Sequence, residues 1–137
     1  MNFTIIDSID WANLKNAYGS AVSNPKHFRA LLSNKEDDVD EAIYGFLHSE
    51  ACHQYTTYSS TPYVVKCLLY IFEHNEFEEE QLEELLGFIF ACTYSAKNIK
   101  SLRDEILAGQ KHYEIYAKST FKSGEVAKNL LVFCNKY

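Results

Sequence analysis

The 137 residues, 47% hydrophobic and 15% aromatic, suffice for one continuous core and are too apolar for a disordered chain. The net charge of −6 is unevenly held: residues 1–34 carry three basic and two acidic side chains, residues 35–84 two and thirteen, residues 85–137 eight and four. An acidic middle repels phosphate backbones and attracts a basic partner, so nucleic acid is disfavoured and a basic protein is the expected ligand.

Helix signals recur about every twenty residues, and strand signals are scarce. A first helix is predicted over Ile9 to Ser20, where Trp11, Leu14, Tyr18 and Ala21 share one face of a 3.6-residue period and Gly19 is the stop. In SNPKHFRALLS, Asn24 is the expected N-cap, Pro25 opens the second helix, and Phe28, Leu31 and Leu32 face inward. The third helix has the face Val39, Ala42, Ile43, Phe46 and Leu47, with Glu36, Asp37 and Asp38 in its first turn. A fourth begins at Ser60 or Thr61 with Pro62 in its first turn and buries Val64, Val65, Leu68, Leu69 and Phe72. After His74-Asn75-Glu76, a fifth carries Leu82, Leu85, Leu86 and Ile89. A sixth runs from about Ile99 through Ile106 to Ala117, and a seventh from about Gly124 to Cys134. Seven helices on short links imply one all-α domain spanning 1–137, either a bundle or a short α-solenoid of antiparallel hairpins. No strict sequence repeat chooses between them.

Other features set the compartment. MNFTIIDSID lacks the basic and apolar regions of a secretory signal, and the longest apolar run, LLGFIFAC from Leu85, is far short of the ~20 residues that span a bilayer. Cys52, Cys67, Cys92 and Cys134 lie far apart with no CxxC pair, as small buried hydrophobes in a reducing compartment do. A cytoplasmic protein that does not contact membrane is expected.

Two segments carry a family resemblance. The first is Trp11-x-x-Leu14-x-x-Ala17-Tyr18-Gly19-Ser20-Ala21, followed by Pro25 and Leu31-Leu32-Ser33. The second is His53-Gln54-x-x-x-Tyr58-x-x-Thr61-x-x-Val64. Together they resemble a group of bacterial HEAT-repeat-like proteins with the patterns W..L..AYGSA and HQG..Y..T, over about the first half of the chain. The resemblance implies a short HEAT-like solenoid in which Trp11, Tyr18, Gly19, His53, Gln54, Thr61 and Pro62 are structural. Members of this group include immunity proteins of bacterial toxin systems, which bind one cognate toxin and block it. The family's glycine after His-Gln is Tyr55 here; glycine permits a tight turn, so Tyr55 is expected to require another conformation.

The candidate chemistry divides as follows. His53 is either a base or ligand at a loop, or a structural residue that caps the third helix or bonds the neighbouring repeat. His48 and Cys52, at i and i+4, with His53 invite a zinc reading, but no second cluster completes it. The run Tyr55 to Thr61 contains no G-x-S-x-G or S-x-x-K; Ser60 or Thr61 as a helix cap explains part of it, which leaves Tyr55 and Tyr58 for the core or for recognition. No catalytic residue, metal ligand set or cofactor is assigned, and a non-enzymatic role is expected. Asp37, Asp38 and Glu41 from one acidic cluster, and Glu79, Glu80 and Glu83 from the other, are expected to merge into one face that captures a basic toxin domain, with Tyr55 and Tyr58 beside it. Solvated helix starts are the plainer reading of the same runs. Lys97, Lys100, Arg103, Lys111, Lys118, Lys122 and Lys128 are scattered. They keep open a HEAT-like nucleic-acid-binding domain, beside a third reading as an adaptor for some other protein.

Overall fold

The computed structural model describes residues 2–137 and is predominantly helical. Among the described residues it has eight α-helices: α1 (Thr4–Asp7), α2 (Asn24–Leu31), α3 (Glu36–Asp40), α4 (Thr61–His74), α5 (Glu79–Ala96), α6 (Lys100–Leu107), α7 (Gln110–Tyr116) and α8 (Lys122–Cys134). Two small antiparallel ladders interrupt them: β1 (Lys15–Asn16) with β2 (Gly19–Ser20), and β3 (Cys52–His53) with β4 (Thr56–Thr57). No helix among the described residues is long and apolar enough to cross a membrane.

The predicted first helix is absent. Trp11–Asn13 makes one 3-10 turn, Leu14 leaves it extended, and the chain closes a tight hairpin instead. Trp11 and Ala21 are buried as that helix required, but Tyr18 projects into solvent at 73% exposure. Buried hydrogen bonds outweigh the helical pattern here. Asn16 is buried and its amide donates to Asn24 Oδ1 at 2.7 Å, while its own oxygen accepts from Ser60 Oγ at 2.6 Å. A helix through residue 16 would forfeit both bonds. Gly19 has φ 138°, which side-chain-bearing residues rarely adopt, so glycine serves the ladder and not a helix stop.

These bonds also revise the caps. α2 begins at Asn24, but the Asn24 side chain joins Asn16, and Ser23 precedes the helix without capping it. α4 follows Ser60, whose hydroxyl is likewise committed to Asn16; Thr61 Oγ1 donates to Ala51 O and accepts from Tyr58 N–H. Pro25 and Pro62 stand in the first turns as expected.

The third helix has the predicted inner face, with Val39, Ala42, Ile43, Phe46 and Leu47 all buried. From Glu41 to Ala51 it continues as a π-helical segment. The sixth predicted helix is two. It breaks at Ala108-Gly109, where Tyr113 Oη donates to Ile106 O at 2.8 Å, and a Cβ on Gly109 would collide with the Tyr113 ring and Leu69. α5 packs on the π-helical segment, on α6 and most extensively on α8; α4 packs on α6 and α7 on α8. One core cluster runs from Ile6 to Cys134.

A repeat too sparse to stand out in the sequence appears as spacing, with identities at Tyr18 and Tyr55, Ser23 and Ser60, Leu31 and Leu68, and Leu32 and Leu69. The ladder pairs Lys15–Ser20 and Asn16–Gly19 recur 37 residues later as Cys52–Thr57 and His53–Thr56. Pro25 and Pro62 keep the same interval. The two units are bonded to each other. Lys15 N–H donates to Ser59 Oγ, Ser60 N–H to Lys15 O, and Ala17 N–H to Glu50 O.

Candidate functional site: an acidic groove continued by an aromatic cleft

Where α2 and α3 face the α4–α5 link, the chain forms a groove of about 590 Å³. Leu31, Leu32, Val39, Ile43 and Phe77 contribute its apolar lining. Six carboxylates, Glu36, Asp40, Glu76, Glu78, Glu80 and Glu84, line it with no lysine, arginine or histidine. Phe77 packs edge-on against Phe72, which fixes the link that brings Glu76 and Glu78 to the rim. The combined negative field registers on Tyr44, an exposed phenol at the groove. Its ionisation is pushed above the ordinary tyrosine range, first by Glu84, then by burial, and further by Asp40, Glu80 and Glu83.

The two acidic runs therefore do converge, but through members other than most of those singled out. Asp37 and Asp38 are exposed on α3 and do not line the groove. Glu41 folds over Gly45, where a Cβ would strike its carboxylate, and it acts electrostatically on His27. Glu79 is structural: it accepts hydrogen bonds from Ser123 N–H at 2.9 Å and Ser123 Oγ at 2.6 Å, tying the first turn of α8 to α5. Glu80 lines the groove, and Glu83 contributes to the field at Tyr44. Helical phase separates these roles. Glu36, Asp40, Glu80 and Glu84 each share a side at i and i+4, a signal the sequence contained.

Tyr55 and Tyr58 lie in different depressions. Tyr55 and Gln54 form the two-residue turn between β3 and β4 with φ 68° and 49°, so Tyr55 adopts the left-handed conformation glycine would supply, contrary to the expectation that it needs another. Its ring is 58% exposed and lies 4.6 Å from that of Tyr94, and Ser95 Oγ donates to its carbonyl. With His48, Phe90 and Tyr94 it borders a cleft of about 380 Å³. Tyr58 is half-buried and borders a separate cleft with Tyr63, Ser101 and Glu105. Burial raises the Glu105 carboxyl above the usual range, against the pull of Lys66.

The zinc trio does not converge. His48 Nε2 lies 3.4 Å from a Glu84 carboxylate oxygen, Cys52 pairs with Cys92, and His53 Nε2 lies 3.4 Å from Tyr18 Oη. His53 thus reaches across to the first hairpin. Among the described residues no group of three or more potential metal ligands gathers elsewhere. All four cysteines are free and buried; burial drives the Cys92 thiol well above its ordinary range and Cys67 up to about 12.

One arrangement has the composition of a proton relay, Ser23, His27 and Glu50. Both partners approach the same ring nitrogen, Nε2, at 3.5 and 3.7 Å. A relay needs one partner on each nitrogen, so this set cannot pass a proton across the ring. Set against protein-family models, curated proteins and solved structures, the chain matches none of them.

Proposed function

We propose that the chain is a non-enzymatic binding protein, a short HEAT-like α-solenoid whose acidic groove captures a basic protein domain. An immunity protein that occludes its cognate bacterial toxin in the cytoplasm is the form of this reading that the motif resemblance favours. The observation that carries it is the groove: six carboxylates beside the half-buried Leu32 and Phe77, with no basic side chain among them. Such a site takes lysine and arginine side chains, the stem against the half-buried Leu32 and Phe77 and the charge among the carboxylates. The 37-residue spacing repeat supports the solenoid architecture.

The test is co-expression with the product of the adjacent gene, followed by co-purification and growth rescue. Reversing Glu36, Asp40, Glu80 and Glu84 to lysine is expected to weaken capture by about 100-fold or more, with a steep salt dependence in the unmodified protein. Unchanged affinity in that variant sinks the acidic-groove reading. A second reading, nucleic-acid binding, draws on the cleft where Lys97 and Lys136 meet Phe90, Tyr94 and Tyr137. A gel shift with single-stranded DNA or RNA at physiological salt separates it from protein capture.

A further inference from the structure

We infer that the partner lays one charge-polarised helix along α5, basic over Glu80 and Glu84, aromatic or apolar in the Tyr55–Tyr94 cleft, and acidic over Lys97 and Lys136. This rests on the reading of the acidic groove as a protein-binding site and specifies the remainder of the contact.

The argument follows α5 from one end to the other. Glu80, Glu84, Gly87, Ala91 and Tyr94 recur at intervals of three and four residues and so share one side of the helix. At the N-terminal end this side borders the acidic groove; at its middle Gly87 and Ala91 leave the 380 Å³ cleft flanked by Tyr55, Phe90 and Tyr94. Beyond Tyr94 the sign reverses. Lys97 and Lys136 line a third cleft of about 370 Å³, and neither is in an ion pair among the described residues. A uniformly basic segment would gain at the first position and be repelled at the last, so charge complementarity demands a change of sign along the partner.

The middle anchor has its own support. Tyr55 and Tyr94 are both more than half exposed, so their rings contribute little to the core. Gln54 and Tyr55 also hold a left-handed conformation, at φ 49° and 68°, that side-chain-bearing residues seldom adopt. Rigid, half-wet aromatic rings beside a cleft lined by small residues have the composition of an interface hot spot. Spacing fixes the partner's form. At 1.5 Å per residue, Glu84 to Ala91 and Ala91 to Lys97 each cover roughly 10 Å. A helix lying alongside meets those places with side chains at i, i+7 and i+14, in either chain direction, as helices in helix-lined grooves do.

The test uses three helical peptides stapled on the face away from the contact and titrated calorimetrically at low salt. The first carries arginine, phenylalanine and glutamate at i, i+7 and i+14; the second replaces glutamate by arginine; the third replaces phenylalanine by alanine. The first peptide is expected to bind at least about tenfold tighter than either other, and Tyr55→Gly to weaken it about tenfold with a melting temperature within about 5 °C of the parent's. Equal or tighter binding of the all-basic peptide overturns the polarised-helix inference and leaves the acidic groove standing. Absence of binding by all three peptides overturns the inference too, while co-purification of the whole partner still reports separately on the groove.

Discussion

Lys15–Ser20 and Cys52–Thr57 are ladders of the same length and register, each closed by two residues. The first keeps Ala17 and Tyr18 at negative φ and passes the unusual conformation to Gly19; the second holds Gln54 and Tyr55 themselves left-handed. The first buries a polar residue, Asn16, at the place where the second has half-buried His53. One hairpin is thus locked from inside by amide hydrogen bonds, and the other is left to display an aromatic turn. Equal spacing fixes where a hairpin lies, while the residues at equivalent places decide whether it is locked into the fold or turned toward solvent.

The comparison breaks most visibly at Asn16. Asn16→Ala strands the Ser60 hydroxyl and the Asn24 amide in a buried site and is expected to cost about 2–3 kcal/mol in chemical denaturation. His53→Ala should cost less than about 1 kcal/mol, since its contact with Tyr18 is exposed and long. Equal losses would mean that both hairpins are locked alike. Next comes the turn. Gly19→Ala is expected to lose about 1–3 kcal/mol by forcing a side chain to φ 138°. Tyr55→Gly should stay within about 1 kcal/mol of the parent, because roughly 1–2 kcal/mol of relieved strain offsets the backbone entropy that glycine adds.

A smaller effect is expected in the carboxylate pair at the start of α5. Glu79→Ala removes two bonds to Ser123 and should lower stability by about 1 kcal/mol, whereas Glu80→Ala should leave stability within about 0.5 kcal/mol and weaken partner binding. The smallest effect concerns pH. His27 stands 37 residues before Val64, so only the first unit carries a titratable group at that place. Burial holds the His27 ring below its ordinary 6.5, partly opposed by Glu50, and the ring stacks on Phe46. The folded state therefore resists a proton that the unfolded state accepts. Stability is full above about 6.5 and declines as pH falls through that value toward the lower folded pKa. His27→Val should flatten this decline in thermal melts between pH 7 and 5.

The sequence made the later helices legible because their burial repeats every three to four residues, as in Val39 to Leu47 and Val64 to Phe72. It misled at Ile9 to Ser20, where the spacing of Trp11, Leu14, Tyr18 and Ala21 imitates a helix. What cancels that helix is a bond from Ser60, 44 residues away, which no local window contains. The break at Gly109 is similar, since it answers to the ring of Tyr113 and to Leu69 on another helix. Convergence of the two acidic runs was readable from their composition. The i, i+4 phase of Glu36 with Asp40 and of Glu80 with Glu84 was also there to be read, but the role of Glu79 was not, because its bonds come from Ser123, 44 residues away.

The 37-residue register also constrains how a chain of this kind can change in length. Removing one whole period between equivalent strand positions rejoins β1 to the turn of β3 with every side chain on its proper face. A cut one residue longer or shorter would turn the rejoined ladder over, exposing what Asn16 buries. A length change that preserves the ladder is therefore expected to take or bring a whole period, and with it one tyrosine-bearing turn.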